Sequence, residues 1–473
     1  MSAPVRLASQ ATRGVAWSGI NTIVLRLGGV VVGIVLARLL TPEQFGVYAV
    51  ALTVQAILMT VADLGLSADI IRSDEPERIA PTVATLGLVS GGVLTLVAVA
   101  GAAPLASALG SPAAAPAIAI LSLTLLLGGA TVVPYGLLQR RFQQRELFLM
   151  GAVDFVVSTG VTLALVAVGW GVLGLAVGRV VAQTVSTVLL FLLARVRPRY
   201  GIDRAGLRPV LAFGLPIAAA NLLSWALLNV DNIVLARVAG ATALGFYVLA
   251  FNISNWPMSA MSQMVRSIAL PYFSRLERPA DGLPTVVSFA WAGALPAGVA
   301  LAVLAAPVIH VLYGERWLPA AAVLAALGLY GGLRVLFDVF AGYLYAQGRS
   351  RPVLWVQLAT LAVLVAAMVP AILLWGIVGA GWAHLVVGLA VILPGYLVVL
   401  HAAGARIRSL LRALVRPTLA AVPAAAVAVV VRLWIADAAA ALLIGGSLFV
   451  VVYLAVMGPW LRRRIQALRS SGD

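Results

Sequence analysis

Arginine side chains interrupt the long apolar runs of this sequence, and their characteristic chemistry is the binding of anions. They occur inside apolar runs at seven positions, Arg26, Arg38, Arg179, Arg237, Arg266, Arg334 and Arg432. A guanidinium group donates two parallel hydrogen bonds to a carboxylate or a phosphate. In an apolar medium its charge costs at least about 2.5 to 3.5 kcal/mol. The deeper arginines therefore need an acidic partner, water or an anionic ligand.

The two arginines deepest in their runs, Arg26 and Arg334, lead to different expectations. Arg334 lies four residues before Asp338 in GGLRVLFDVF, which favours an ion pair within one helix, either enclosed or also open to a polar cavity. Arg26 follows Asn21 in SGINTIVLRLGG and has no acidic residue on its own helix. Its charge must be balanced from another helix or by a bound anion. Arg26 is thus the leading candidate for an anion site, with Asn21 as a polar neighbour.

Two more arginines and one polar segment complete the candidate binding residues. Arg179 and Arg266 extend the anion site, although either can also reach a polar surface or pair with a neighbouring acid. The segment FNISNWPMS adds Asn252, Asn255 and Trp256, which are polar and aromatic groups of the kind that contact sugars. Packing of asparagine and serine between helices is the alternative role for this segment.

Carboxylates inside apolar runs are the candidates for coupling to a cation or a proton. They are Asp63, Asp69, Asp154, Asp231 and Asp338. Asp69 lies three residues before Arg72 and is expected to pair with it. Asp154, Asp231 and Asp338 are the coupling candidates. A structural hydrogen-bonding role is the alternative for Asp154 and Asp231.

The composition identifies the surroundings in which these charges lie. Of the 473 residues, 62% are hydrophobic and 10% are charged, and long apolar runs recur along the whole chain. These features predict an all-α integral membrane protein with about fourteen transmembrane helices. We expect two six-helix lobes, residues 1–200 and 201–405, and then an interfacial helix and two more spans in residues 406–473.

Arginines outside the apolar runs predict the orientation of the chain. One set of alternate connections, together with both termini, carries 24 arginines, whereas the opposite set carries only Arg316. Because basic residues are retained on the cytoplasmic side, both termini are expected in the cytoplasm. The net charge of +16 is then explained by orientation and by attraction to anionic phospholipids, and no nucleic-acid partner is expected.

A repeated segment predicts how the two lobes are related. IVLARLLTPEQFGVY, residues 34–48, and IVLARVAGATALGFY, residues 233–247, share seven of fifteen positions, including Arg38 and Arg237. Six predicted spans separate the copies, so the lobes form a parallel repeat that can rock around a central cavity. Each arginine is expected to fix a helix end, with substrate gating as the alternative. TPEQ is expected to form a capping box at the next helix start.

Missing residue types exclude several kinds of chemistry. The sequence contains no lysine and no cysteine, which excludes the lysine of a phosphate-binding loop, Schiff-base cofactors and thiolate chemistry. The three histidines lie far apart and show no metal-ligand spacing. The predicted outer loops are too short for the external domain of a membrane-embedded transferase or ligase. We therefore expect no cofactor, no metal and no enzymatic activity.

Several longer segments are characteristic in combination: LARLLTPEQFGVYAV, ADLGLSADII, PYGLLQRRFQQRELFLMGAVD and VDNIVLARVAGATALGFYVLAFNISNWPMS. Together they resemble bacterial polysaccharide flippases of the Wzx type, in the lipopolysaccharide and colanic-acid exporter branch of the multidrug/oligosaccharidyl-lipid/polysaccharide superfamily. The resemblance implies transport of an undecaprenyl-diphosphate-linked oligosaccharide across the bacterial cytoplasmic membrane. It also implies a cationic cavity, for which Arg26, Arg266 and Arg334 are the candidates. A polysaccharide polymerase is the candidate protein partner.

Relatives within that superfamily supply the alternatives. A cation-coupled multidrug antiporter would need an acidic site for cationic drugs, whereas the deep charges here are seven arginines against five aspartates. A lipid II flippase shares the predicted number of spans, and a scaffold without transport activity is a further alternative. A cavity lined by arginines favours the flippase, and a cavity lined by acids favours the antiporter.

Overall fold

The computed structural model describes residues 28–73, 75–197, 199–276 and 278–470, and within these ranges every regular element is a helix. Eleven of the described helices are long and apolar enough to cross a membrane, which confirms the predicted all-α membrane fold. The number fourteen stays a prediction. Two of the eleven helices contain a break, and the chain before residue 28 lies outside the described ranges.

Sixteen α-helices follow one another along the described chain, which also contains two short 3₁₀ helices and one π-helical turn. The first eight are α1 Gly28–Leu39, α2 Pro42–Asp63, α3 Leu66–Arg72, α4 Pro76–Ala100, α5 Ala102–Ala108, α6 Ala115–Arg140, α7 Gln144–Ala167 and α8 Gly171–Ala194. The others are α9 Arg204–Arg275, α10 Pro279–Val303, α11 Ala305–Tyr313, α12 Ala320–Ala346, α13 Ser350–Val387, α14 Leu393–Ala402, α15 Ile407–Trp434 and α16 Ala438–Ser470. The segment RIRSLLRALVRP, predicted as an interfacial helix, is the first part of α15 and is continuous with the following span.

The described chain divides into two compact units between Gly245 and Phe246, within α9. The lobe boundaries expected at residues 200 and 405 stay predictions. Small residues and interhelical hydrogen bonds hold membrane helices together, because lipid offers no hydrophobic driving force between them. In the second unit, the hydroxyl of Tyr453 on α16 donates to the carbonyl oxygen of Ala292 on α10 at 2.7 Å. Four alanines of α15 belong to the buried cluster that also contains Ala292 of α10 and Tyr453 of α16.

The two copies of the repeated segment interrupt the helix by different means. In the first copy, the Thr41 hydroxyl oxygen accepts a hydrogen bond from the Gln44 backbone N–H at 3.2 Å, and Gln44 Oε1 accepts one from the Thr41 N–H at 3.0 Å. The predicted capping box is therefore confirmed. In the second copy, Gly240 has φ 83° and ψ 177°, a conformation that residues with a side chain rarely adopt. Arg38 and Arg237 precede these breaks by less than one helical turn.

The two copies also meet each other within the first unit. Gly46 of the first copy corresponds in sequence to Gly245 of the second, and Pro42 corresponds to Ala241. A Cβ atom at Gly46 would overlap the carbonyl oxygen of Ala241, and one at Gly245 would overlap the carbonyl oxygen of Pro42. The contact is reciprocal, and the backbones approach more closely than any side chain would allow.

Candidate functional site

An ion pair between Arg179 of α8 and Asp154 of α7 lies in the first unit. The distance from Arg179 Nη1 to Asp154 Oδ2 is 2.8 Å, and the side chains are 36% and 22% exposed. Ser186 Oγ donates to the other oxygen of Asp154 at 3.0 Å, and Arg179 Nη2 donates to Gln183 Oε1 at 3.4 Å. One positive and one negative charge cancel here. Arg179 and Asp154 were predicted for an anion site and for cation coupling, and they are each other's partners.

A second ion pair joins Arg266 of α9 to Asp338 of α12 in the second unit. Arg266 Nη2 lies 2.9 Å and Arg266 Nε 3.1 Å from the same oxygen, Asp338 Oδ1. The pairing of Asp338 with Arg334, which the spacing within α12 favoured, is therefore wrong. Two N–H groups approaching from another helix take the carboxylate instead. The Arg266 side chain is 66% exposed, so this pair is more open than that of the first unit.

Arg334 has a neutral partner in the same region of the second unit. Its Nη1 donates to Asn255 Oδ1 at 3.3 Å, and the side chain is half-buried. Among the described residues, none of the ion pairs includes Arg334. An amide oxygen orients a guanidinium group but leaves its charge in place. Arg266, Arg334 and Asp338 together carry one net positive charge, and with Asn255 they are called the α9/α12 cluster below.

Polar residues continue along one face of α9 on either side of Asn255. They recur three or four residues apart, at Asn252, Asn255, Ser259, Gln263 and Arg266, and are called the α9 polar stripe below. Asn252 and Gln263 are exposed, and Trp256 beside them is half-buried. Ser259 and Gln263 were not predicted as site residues. The helical spacing from Asn252 was the signal that could have identified them.

The remaining candidates belong to the first unit or lie beyond the described residues. Asp231 is 5% exposed, and its Oδ1 accepts a hydrogen bond from the backbone N–H of Asn232 at 2.9 Å. Its coupling role stays a prediction. Arg26 and Asn21 lie outside the described residues. The structure therefore brings Arg266, Asn255 and the α12 charges together.

This chain is similar to known proteins in both sequence and fold. The sequence model of a family described as "Polysaccharide biosynthesis protein" matches residues 35–322. The lipopolysaccharide biosynthesis protein WzxC of Escherichia coli (strain K12) is 28% identical over 355 residues, 72% of this chain and 71% of that protein. The succinoglycan biosynthesis transport protein ExoT of Rhizobium meliloti (strain 1021) is 28% identical over 74% of this chain and 72% of that protein.

Among solved structures, the lipid II flippase MurJ in its inward closed conformation has the same fold. The TM-score is 0.77 at 13% sequence identity, and the match covers 95% of this chain and 100% of that one. At this identity the likeness shows the fold alone. The family match, in contrast, spans more than half of the sequence. This chain belongs to the polysaccharide biosynthesis protein family.

Proposed function

We propose that this protein moves an undecaprenyl-diphosphate-linked oligosaccharide from the inner to the outer leaflet of the bacterial cytoplasmic membrane. The binding site is exposed to each side of the membrane in turn. The net positive charge of the α9/α12 cluster is the observation that carries the proposal, because an anionic headgroup would balance it. The names of two similar proteins, a succinoglycan transport protein and a lipid II flippase, support a transport role.

A diphosphate needs such a carrier for a physical reason. A bare charge in hydrocarbon faces a Born penalty of tens of kcal/mol, and arginine offsets it with paired hydrogen bonds to phosphate oxygens. Arg334 donates one N–H group to Asn255 and has four others for a ligand. Arg266 is 66% exposed while it is paired with Asp338, so it can contact a phosphate without losing its partner.

The sugar is assigned to the α9 polar stripe. From Asn252 to Arg266 the stripe is about 21 Å long at the rise of an α-helix, which is enough for several sugar units. We assign the amides of Asn252 and Gln263 to sugar hydroxyls and the Trp256 ring to an apolar sugar face. Arg26 and Asn21 are proposed to extend the diphosphate site, as the sequence predicts. Arg179 is assigned a structural role because Asp154 neutralises it.

The membrane potential supplies a driving force for this transport. With a negative cell interior, outward movement of a negative charge releases about 2.3 kcal/mol per 100 mV, so export needs no ATP. We propose that both termini face the cytoplasm, that arginines at the helix ends contact anionic phospholipids, and that a polysaccharide polymerase receives the product. Coupling through Asp154, Asp231 or Asp338 stays a prediction.

Two other transport roles within the superfamily are the alternatives. A lipid II flippase, the activity named for MurJ, is the first. The α9/α12 cluster suits that substrate too, because lipid II also carries a diphosphate. A multidrug antiporter for cationic drugs is disfavoured, since one net positive charge in the cluster would repel such a ligand.

The substitution R334Q tests the proposed site. Full-length protein is reconstituted in vesicles with a fluorescent undecaprenyl-diphosphate-linked N-acetylglucosamine, and outward movement is measured by quenching from outside. We expect R334Q to lower the initial rate at least tenfold, because a hydrogen bond to a charged group contributes about 1.5 to 3 kcal/mol. The matched control is R412Q, which removes the same charge from an exposed position in the first part of α15.

Three results of that experiment are decisive. An unchanged rate in R334Q, or an equal loss in R412Q, contradicts the proposal. Faster movement of the undecaprenyl monophosphate than of the diphosphate also contradicts it. If lipid II moves much faster than a glycan lipid unrelated to peptidoglycan, the protein is a lipid II flippase and not an oligosaccharide flippase. The role of Arg334 is retained in that case.

A further inference from the structure

A cavity in the first unit, with apolar and oxygen-bearing side chains in its wall, plays no part in the proposed anion site. Its volume is about 220 Å³, and it lies among α2, α3, α6 and α8. Five of its lining residues carry oxygen atoms in their side chains: Asp63, Ser67, Thr131, Tyr135 and Gln183. One liquid water occupies roughly 30 Å³, so the cavity has room for a small ion together with several waters.

Asp63 contributes the negative charge of this cavity. Its Oδ1 accepts a hydrogen bond from Ser67 Oγ at 3.3 Å. In the part of the chain that the structure describes, no ion pair includes Asp63, whereas Asp154 is held by Arg179 at 2.8 Å. A lone charge within a membrane protein requires a counter-ion or a proton.

Two hydroxyl groups of the cavity already have acceptors for their protons. Thr131 Oγ donates to the carbonyl oxygen of Gly128 at 2.9 Å, and Ser67 Oγ donates to Asp63. Tyr135 Oη accepts from Gln139 Nε2 at 2.9 Å. A hydroxyl oxygen has two lone pairs, so Thr131 and Ser67 keep acceptor capacity after donating. The cavity therefore presents hard oxygen ligands around one carboxylate.

We propose that this cavity binds one monovalent metal cation of the size of Na⁺, coordinated by the Asp63 carboxylate and the hydroxyl oxygens of Ser67 and Thr131. Oxygen ligands suit alkali and alkaline-earth cations. The single carboxylate selects a single positive charge, because a divalent ion would leave one charge unbalanced inside the membrane.

This proposal concerns binding alone and does not depend on which lipid the protein moves. It places the candidate cation site at Asp63 and not at Asp154. Asp154 was a coupling candidate from the sequence, but Arg179 already balances its charge. Gln183 connects the cavity with the Arg179–Asp154 pair, since it lines the cavity and accepts a hydrogen bond from Arg179 at 3.4 Å.

Binding of radioactive ²²Na⁺ to the purified full-length protein in nanodiscs tests the site. We expect saturable binding of one ion per chain at constant ionic strength with choline as the replacement cation. D63N should weaken this binding at least tenfold, and T131V should weaken it several-fold. The matched control D281N changes an exposed aspartate at the start of α10 and should bind like the original protein.

Several outcomes would overturn the proposal. They are the absence of saturable ²²Na⁺ binding in the original protein, full binding by D63N, or a loss in D154N equal to that in D63N. Stronger competition by Mg²⁺ than by unlabelled Na⁺ would also exclude a monovalent site. If D63N does not fold, judged by gel filtration and circular dichroism, T131V and S67A carry the test, because both change a proposed ligand. Full binding by both then overturns the proposal.

Discussion

The two units each contain a cross-helix arginine–aspartate pair, but the surroundings of the pairs differ. In the first unit, the charges of Arg179 and Asp154 cancel, and each of the two also has a hydrogen bond to a neutral side chain, Gln183 or Ser186. In the second unit, Asp338 pairs with Arg266. Arg334, one helical turn before Asp338 on α12, has the neutral amide of Asn255 as its partner. Net charge therefore distinguishes the ion pair of the first unit from the proposed anion site of the second, whereas the number of arginines does not.

The largest effect is expected from removal of both positive charges of the α9/α12 cluster. In R266Q/R334Q only Asp338 remains charged, so the cluster becomes negative. Two hydrogen bonds to charged groups, at about 1.5 to 3 kcal/mol each, correspond to a loss of about 100-fold or more in the initial rate of lipid transport. The vesicle assay measures this loss. A double variant that transports as well as R334Q alone would remove Arg266 from the site.

A smaller loss is expected when the second cluster is made neutral like the first. N255D places a carboxylate beside Arg334, and the resulting ion pair would lower transport about tenfold while the melting temperature stays the same or rises. N255A is the control, because it removes the amide but keeps the charge of Arg334 free for a ligand. Equal transport by N255D and the original protein would show that net charge does not distinguish the two clusters.

The smallest effect on transport is expected in the first unit, where substitution should act on stability. R179Q leaves Asp154 without its counter-charge and should destabilise the protein by about 1 to 3 kcal/mol, less than a fully buried pair would lose because both side chains are partly exposed. R179Q/D154N should recover most of the melting temperature. If R179Q instead abolished transport at unchanged stability, Arg179 would belong to the anion site.

The sequence was sufficient for features that are determined locally. Apolar runs, prolines and glycines predicted the helices, because each helix begins and ends through contacts with its own neighbours in sequence. The capping box at Thr41 and Gln44 was predicted for that reason. The α9 polar stripe could have been predicted in the same way, because its members recur at the spacing of one helix face. Only part of it, Asn252, Asn255 and Arg266, was identified.

The partners of the charged residues could not be predicted from the sequence. Arg266 and Asp338 are 72 residues apart, and Arg179 and Asp154 are 25 apart, so the register between helices decides both pairs. The spacing of Arg334 and Asp338 satisfied the rule for neighbours on one helix and still gave the wrong pair. A rule for single helices cannot rank a partner on the next helix, which can bring two N–H groups to one carboxylate oxygen.

The reciprocal contact of Gly46 with Gly245 has an evolutionary consequence. Because each glycine faces the backbone of the opposite copy, a methyl group at either position would push the same two helices apart. We therefore expect related sequences to keep both glycines together, although 199 residues separate them. The corresponding positions Thr41 and Gly240 differ between the two copies, because each copy interrupts its helix in its own way.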